Sequence, residues 1–235
     1  VEICDDDCAH GDDLVQSILT FRATVEAAST TWTFQRLVGL WGELTILERL
    51  LILSENDVQR ERAISAWKST GPHCSDFVFR NACEAIDAKT TLKTQRNHTV
   101  SSVDQVSGSP GWVTSLISIV ARPVSDDEGH SIADIIERIR HRLENASLAE
   151  FNRKIESLGI EADLAAAHHF RERSGRPHML FEDAQVPGVM QFLRPTLPDG
   201  VPELSWPIHL GEDGMSGSCL DDRLSCALRE GDADE

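Results

Sequence analysis

The chain has 235 residues, enough for one sizeable domain or two small ones around a real apolar core. Forty per cent apolar and 26% charged residues are ordinary for a globular protein, and no apolar run approaches the roughly 18–20 residues that span a bilayer. A net charge of −17 argues against general DNA binding, which draws most of its free energy from a basic face.

The acidity is concentrated at the ends. Residues 1–13 carry Glu2, Asp5, Asp6, Asp7, Asp12 and Asp13 with no Lys or Arg, and residues 211–235 are again strongly acidic. The body between them is only mildly acidic, which leaves room for a local basic pocket. The start, Val1-Glu2-Ile3-Cys4-Asp5, lacks the basic-then-apolar layout of a signal peptide, so a cytoplasmic protein is expected. Six cysteines, at 4, 8, 74, 83, 219 and 226, are then expected as reduced thiols.

In chain order, Leu14 to Ser29 reads as a first helix and residues 34–53 as a clearer one. Its stripe is Leu37, Leu40, Trp41, Leu44, Leu47 and Leu51, with Ile52 at its margin, and Glu43, Glu48 and Arg49 fall on the other side. Ser54-Glu55-Asn56-Asp57 predicts a break and an N-cap, followed by a helix from about Val58 to Lys68. Gly71-Pro72 ends it. A further helix is predicted from Ser75 or Asp76 to about His98, with Phe77, Phe79, Cys83, Ile86 and Leu92 inward. Residues 101–112 read as a loop, and Trp112 to Ala121 has strand composition. Ser131 to Ile155 reads as one long helix with Ser131 as N-cap, and Glu161 to Arg173 as another. Six of the nine prolines then fall within 177–207, which suggests extended chain wrapping the body. From Gly211 onward, low hydrophobicity and negative charge predict disorder.

The expected fold is mainly α: a helical bundle with a short β-strand or hairpin insertion and a Pro-rich C-terminal extension. Its parts are an acidic Cys/His tail (1–13), a helical bundle domain (14–158), a helix plus Pro-rich extension packed on the body (159–210) and an acidic disordered tail (211–235).

Three groups of residues could carry chemistry. Cys4, Cys8 and His10 offer three zinc-type ligands, but nothing nearby completes the set, and a solvated acidic tail is the simpler reading. His168, His169 and His178 surround Arg171, Arg173 and Arg176, the most basic patch of the chain. These three arginines could hold an RNA backbone, or simply solvate a helix end. Phosphate-loop, dinucleotide, HExxH and GxSxG motifs are absent, so no cofactor and no metal site is expected.

Arg96-Asn97-His98 is the third group. Metal-free RNA cleavage needs a base, an acid and a cation for the developing phosphorane charge, and this tripeptide contains those groups. On a helix, however, Arg96 and His98 lie about 200° apart, so they share a site only if the helix ends there.

The order of elements from about Phe34 to Phe151 resembles the HEPN superfamily of small helical proteins. The resemblance is carried by the helix Leu40-Trp41-Gly42-Glu43-Leu44-Thr45-Ile46-Leu47-Glu48 and the segment Leu92-Lys93-Thr94-Gln95-Arg96-Asn97-His98, then the strand region and the helix from Ser131. It implies a metal-independent ribonuclease of a prokaryotic defence or mobile-element system, with its site assembled across a homodimer. Arg96 would hold the phosphate and Asn97 would orient it. The family's His falls at Ser101, so either His98 substitutes or an RNA-binding scaffold remains. The alternative is a non-enzymatic helical module, with acidic tails, that binds a protein partner.

Overall fold

The computed structural model describes residues 32–69, 75–100, 111–182 and 206–229. The chain forms two compact units, Val1–Arg36 and Leu37–Glu235, and the account below concerns the second. The expected first helix and the Cys4, Cys8 and His10 cluster lie outside the described residues.

The fold is α/β, which corrects the expected helical bundle. Helix α1 (Phe34–Leu53) and helix α2 (Asp57–Ala66) come first. Strands β1 (Phe77–Phe79), β2 (Glu84–Thr91), β3 (Arg96–Val100) and β4 (Val113–Val124) follow. Helices α3 (Ile132–Arg140), α4 (Asn145–Leu158) and α5 (Ala162–Ala166) lead to strands β5 (His169–Glu172), β6 (Met179–Glu182) and β7 (Trp206–Leu210), and helix α6 (Ser218–Arg229) closes the described chain.

β4 is the spine. It pairs in parallel with β2 along eight residues, and antiparallel with both β6 and β5, each covering part of its other edge. β1 pairs antiparallel with β2, completing five strands, while β3 and β7 form a separate antiparallel pair. β4 is buried almost without interruption from Thr114 to Ala121, as expected for a strand covered on both faces. On one face Val100, Ile208 and Leu210 of the β3–β7 pair pack with Leu116, Met179 and Phe181. α1 approaches the other face so closely that a Cβ on Gly42 would lie 1.8 Å from Thr90 Oγ1 and 3.2 Å from Ile119 Cδ1. Glycine is required there by space.

α1 and α2 match their expected spans. Asn56 caps α2 through its side chain, which accepts from Gln59 N. Glu48 departs from its expected polar side: it is buried and takes two 2.7 Å bonds from Arg138 of α3. Ser131 caps α3 in a full capping box with Asp134, but α3 ends at Arg140 and the chain restarts at Asn145, whose φ of 47° breaks the expected long helix.

The helix expected over 75–98 is the largest correction. Phe77 and Phe79 are both buried and Val78 only half-buried, a period of two, and a turn through Cys83 (φ 48°) reverses the chain into β2. Of the five expected inward positions, Phe77, Phe79 and Ile86 are buried, whereas Cys83 is exposed and Leu92 half-buried. Aromatic and β-branched side chains, including Thr90, Thr91, Thr99 and Val100, fit a pleated surface better than a helix.

Two later segments also differ. The helix expected to Arg173 ends at Ala166 and gives way to β5. Within the expected disordered tail α6 is ordered, because Leu220, Leu224, Ala227 and Leu228 bury one helical face despite the local acidity. Among the described residues no helix is long and apolar enough to cross a membrane.

Candidate active site

Four charged side chains gather where α1, the start of β1 and the middle of β2 meet. Asp76 immediately precedes β1, and its Oδ2 accepts the Ala88 N–H at 2.7 Å. Ala88 stands between Asp87 and Lys89, so one hydrogen bond ties Asp76 to the centre of an Asp-x-Lys tripeptide. Asp87 and Lys89 alternate onto one face of β2, and Lys89 Nζ lies 2.8 Å from Asp87 Oδ2. From α1, Glu43 contributes a third carboxylate, whose Oε2 accepts from Trp67 Nε1 at 3.1 Å.

The electrostatics identify this group as unusual. Burial raises Glu43 to about 8, with the Asp76 and Asp87 carboxylates adding to the shift while Trp67 and Lys89 oppose it. Asp87 is raised to about 7, by burial and then by Asp76, against the pull of Lys89. Asp76 is also raised by burial, although the Ala88 N–H and Lys89 favour its charged form. Three carboxylates therefore face one ammonium, and burial keeps protons on them, reinforced at Glu43 and Asp87 by the neighbouring carboxylates. Asp87 is 1% exposed, and Glu43, Asp76 and Lys89 are half-buried.

The donor set suits a hard divalent cation. Carboxylate oxygens are the ligands such ions prefer, and the surplus negative charge is what one would neutralise. Among the described residues no group of three or more His, Cys, Asp or Glu side chains is placed to hold a metal ion. Magnesium does not require that: it binds through one or two carboxylates and fills its remaining positions with water and phosphate oxygens.

The earlier candidates fall elsewhere. In β3, Arg96 and His98 share a face, as a period of two demands and a helix would forbid. Both are buried and spent inside the protein. Arg96 donates to Ser118 O at 3.0 Å, Ser118 Oγ at 3.1 Å and Pro177 O at 2.6 Å. His98 Nε2 lies 2.7 Å from the same Ser118 hydroxyl. Burial lowers His98 to about 3, with Lys89 and Arg96 adding to the shift, so the ring is neutral and lies within electrostatic reach of the site lysine. Asn97 faces outward, where its Oδ1 meets His209 Nδ1 at 2.7 Å.

The members of the second histidine group differ in their surroundings. Arg171 is exposed on β5, Arg173 is half-buried, and Arg176 pairs with Glu212. His178 is buried, with Nε2 3.0 Å from Glu172 Oε1 and Nδ1 3.3 Å from Arg49 NH1. Cys83, Cys219 and Cys226 are exposed free thiols.

A family model described as "Putative PD-(D/E)XK family member, (DUF4420)" matches residues 13–210. The chain belongs to this family, and the HEPN resemblance is withdrawn. No curated protein and no solved structure matches it. The family's pattern reads here as Ser75-Asp76 followed by Asp87-Ala88-Lys89, with Ser75 where the pattern has Pro. Those residues carried a usable signal, an Asp eleven positions before an Asp-x-Lys. It was hidden once 75–98 was read as a helix, because a helix never brings 76 beside 88.

Proposed function

We propose that the protein is a divalent-cation-dependent nuclease that hydrolyses phosphodiester bonds of nucleic acid. The observation that carries this reading is the juxtaposition of Asp76 with Asp87-Ala88-Lys89 through the 2.7 Å bond to Ala88 N, beside Glu43. Asp76 and Asp87 would hold the cation, with the Glu43 carboxylate beside them. When bound, such a cation polarises a phosphoryl oxygen and acidifies water.

The remaining work belongs to the chain. Lys89 brings a positive charge to the place where negative charge grows on the phosphate during displacement. Its ion pair with Asp87 keeps the ammonium pointed into the cluster. Trp67 and the Ala88 N–H are positioning groups, holding Glu43 and Asp76 so that the carboxylates do not swing apart under their own repulsion. Placing Asp87 and Lys89 on β2, where β4 pairs with both positions, gives the site a rigid base. This reading replaces the metal-independent ribonuclease expected from Arg96, Asn97 and His98.

The test is cleavage of labelled DNA and RNA by the full chain with magnesium or manganese and with EDTA. Cleavage is expected only with the metal, and loss of at least a hundredfold is expected in Asp87→Asn and in Lys89→Ala. Undiminished cleavage in EDTA, or full activity in Asp87→Asn, would sink the assignment.

A further inference from the structure

On the far side of the segment that anchors Glu43 and Asp76, a cavity of about 230 Å³ opens between α2, β1 and α6. Its charged lining consists of Arg62, Lys68 and Arg80, with Asn81 beside them and Phe79 and Ala227 in its apolar part; no carboxylate lines it. In a chain of net charge −17 that is a notable concentration of one sign. The cations are held in place. Arg62 NH1 donates to Leu228 O at 2.9 Å, at the end of α6, and Lys68 Nζ donates to Ser65 O at 2.6 Å. The Arg80 side chain is exposed and makes no hydrogen bond or ion pair among the described residues. Arg80 is close enough to Lys68 to add to the lowering of its pKa by burial, while Glu150 partly offsets it. Lys68 in turn acts the same way on Lys154. Several cations are therefore crowded together with Glu150 as the nearby counter-charge.

The cavity is built into the same backbone as the carboxylate cluster. Lys68 N–H donates to Asp76 O at 2.7 Å, and Trp67, the preceding residue, donates to Glu43. From Asp76 the chain runs through β1 to Arg80. Asp76 and Arg80 flank the three residues of β1, a separation of about 13 Å at the rise of a strand, so the pocket and the carboxylate cluster would engage different nucleotides of one strand.

We propose that this pocket is a phosphate subsite, taking a backbone phosphate of the substrate a few nucleotides from the bond being cut, with Arg80, Lys68 and Arg62 as its cations. The proposal rests on the nuclease reading for the identity of the polymer. The pocket's chemistry supports it in two ways: guanidinium groups bind phosphate through charge-assisted hydrogen bonds, and the Phe79 and Ala227 surface can carry the adjoining sugar. Such a subsite would also explain how an acidic protein gains enough local affinity for a polyanion.

The experiment measures binding of a fluorescent oligonucleotide by the full-length Asp87→Asn chain in magnesium, across a salt series. Arg80→Ala is added in one arm, and Arg142→Ala, an exposed arginine away from the pocket, in the other. Because Arg80 is exposed and unpaired among the described residues, its removal should leave the fold intact. Arg80→Ala should weaken binding roughly tenfold and flatten the log–log salt slope by about one, whereas Arg142→Ala should do neither. Equal behaviour of the two arms, or no binding by the Asp87→Asn parent, would overturn the proposal. Cleavage by the unmodified chain is scored separately. Cleavage without Arg80 dependence removes the subsite and leaves the nuclease reading standing. Arg80-dependent binding without cleavage does the reverse.

Discussion

Asp87→Asn should abolish catalysis and yet stabilise the protein. The folded carboxyl titrates near 7 instead of at its ordinary 3.8, because burial and the Asp76 charge disfavour its ionised form. A folded pKa above the unfolded one means that this stability contribution is complete below about pH 4 and is lost as pH rises through 7. At 1.36 kcal/mol per unit, the ionised group costs the fold about 4 kcal/mol at pH 8 as a ceiling. Asparagine cannot ionise, but it also leaves Lys89 without its partner at 2.8 Å. The net gain expected in EDTA at pH 8 is therefore about 1–2 kcal/mol, a rise in Tm of about 2–8 °C for a chain of this size. At pH 4 the gain should vanish. Magnesium should raise the Tm of the unmodified protein at pH 8 and change the variant little, since the cation relieves the same repulsion. Calorimetry or thermal circular dichroism at the two pH values is sufficient. A variant that melts no higher than the unmodified protein at pH 8, or that gains equally at pH 4, would refute the reasoning.

Other outcomes follow from single contacts. Gly42→Ala should cost about 1–3 kcal/mol through overpacking against Thr90 and Ile119, and should reduce activity by displacing the adjacent Glu43; Thr90→Ala in the same chain should recover part of both, as denaturant melts and cleavage rates would show. His98 has a folded pKa depressed to about 3, so its contribution is present above pH 6.5 and is lost as pH falls toward 3, about 2 kcal/mol by pH 5. His98→Asn should flatten that stretch of the stability curve. Ser118→Ala removes the hydroxyl shared by Arg96 and His98 and should cost about 1–3 kcal/mol in urea unfolding, with a smaller change in cleavage.

What was legible in the sequence follows local physics. α1 shows in its apolar stripe, α2 in the Asn56 cap, β4 in its apolar and β-branched run, and the start of α3 in the Ser131 box. Each is set by residues within a turn or two of one another. Where two local patterns competed, tertiary context decided. Residues 75–98 have enough scattered apolar positions to suggest a helix, but they become strands because β4 offers β2 an eight-residue parallel edge. The acidic segment around α6 becomes ordered because the body provides a surface for Leu220, Leu224 and Leu228.

The sequence alone thus determined the supply of parts: three carboxylates and a lysine of suitable chemistry, an acidic chain with a small stock of cations, and one long strand able to be buried on both faces. Only the tertiary structure decided which of them meet. Glu43 and Asp76 are 33 positions apart, and Asp76 reaches Ala88 only because a hairpin closes between them. In β3, strand periodicity put Arg96 and His98 on one face, and packing then buried them against Ser118. Local pattern sets periodicity, but strand pairing is non-local, and a catalytic cluster built on paired strands becomes visible only when the pairing is known.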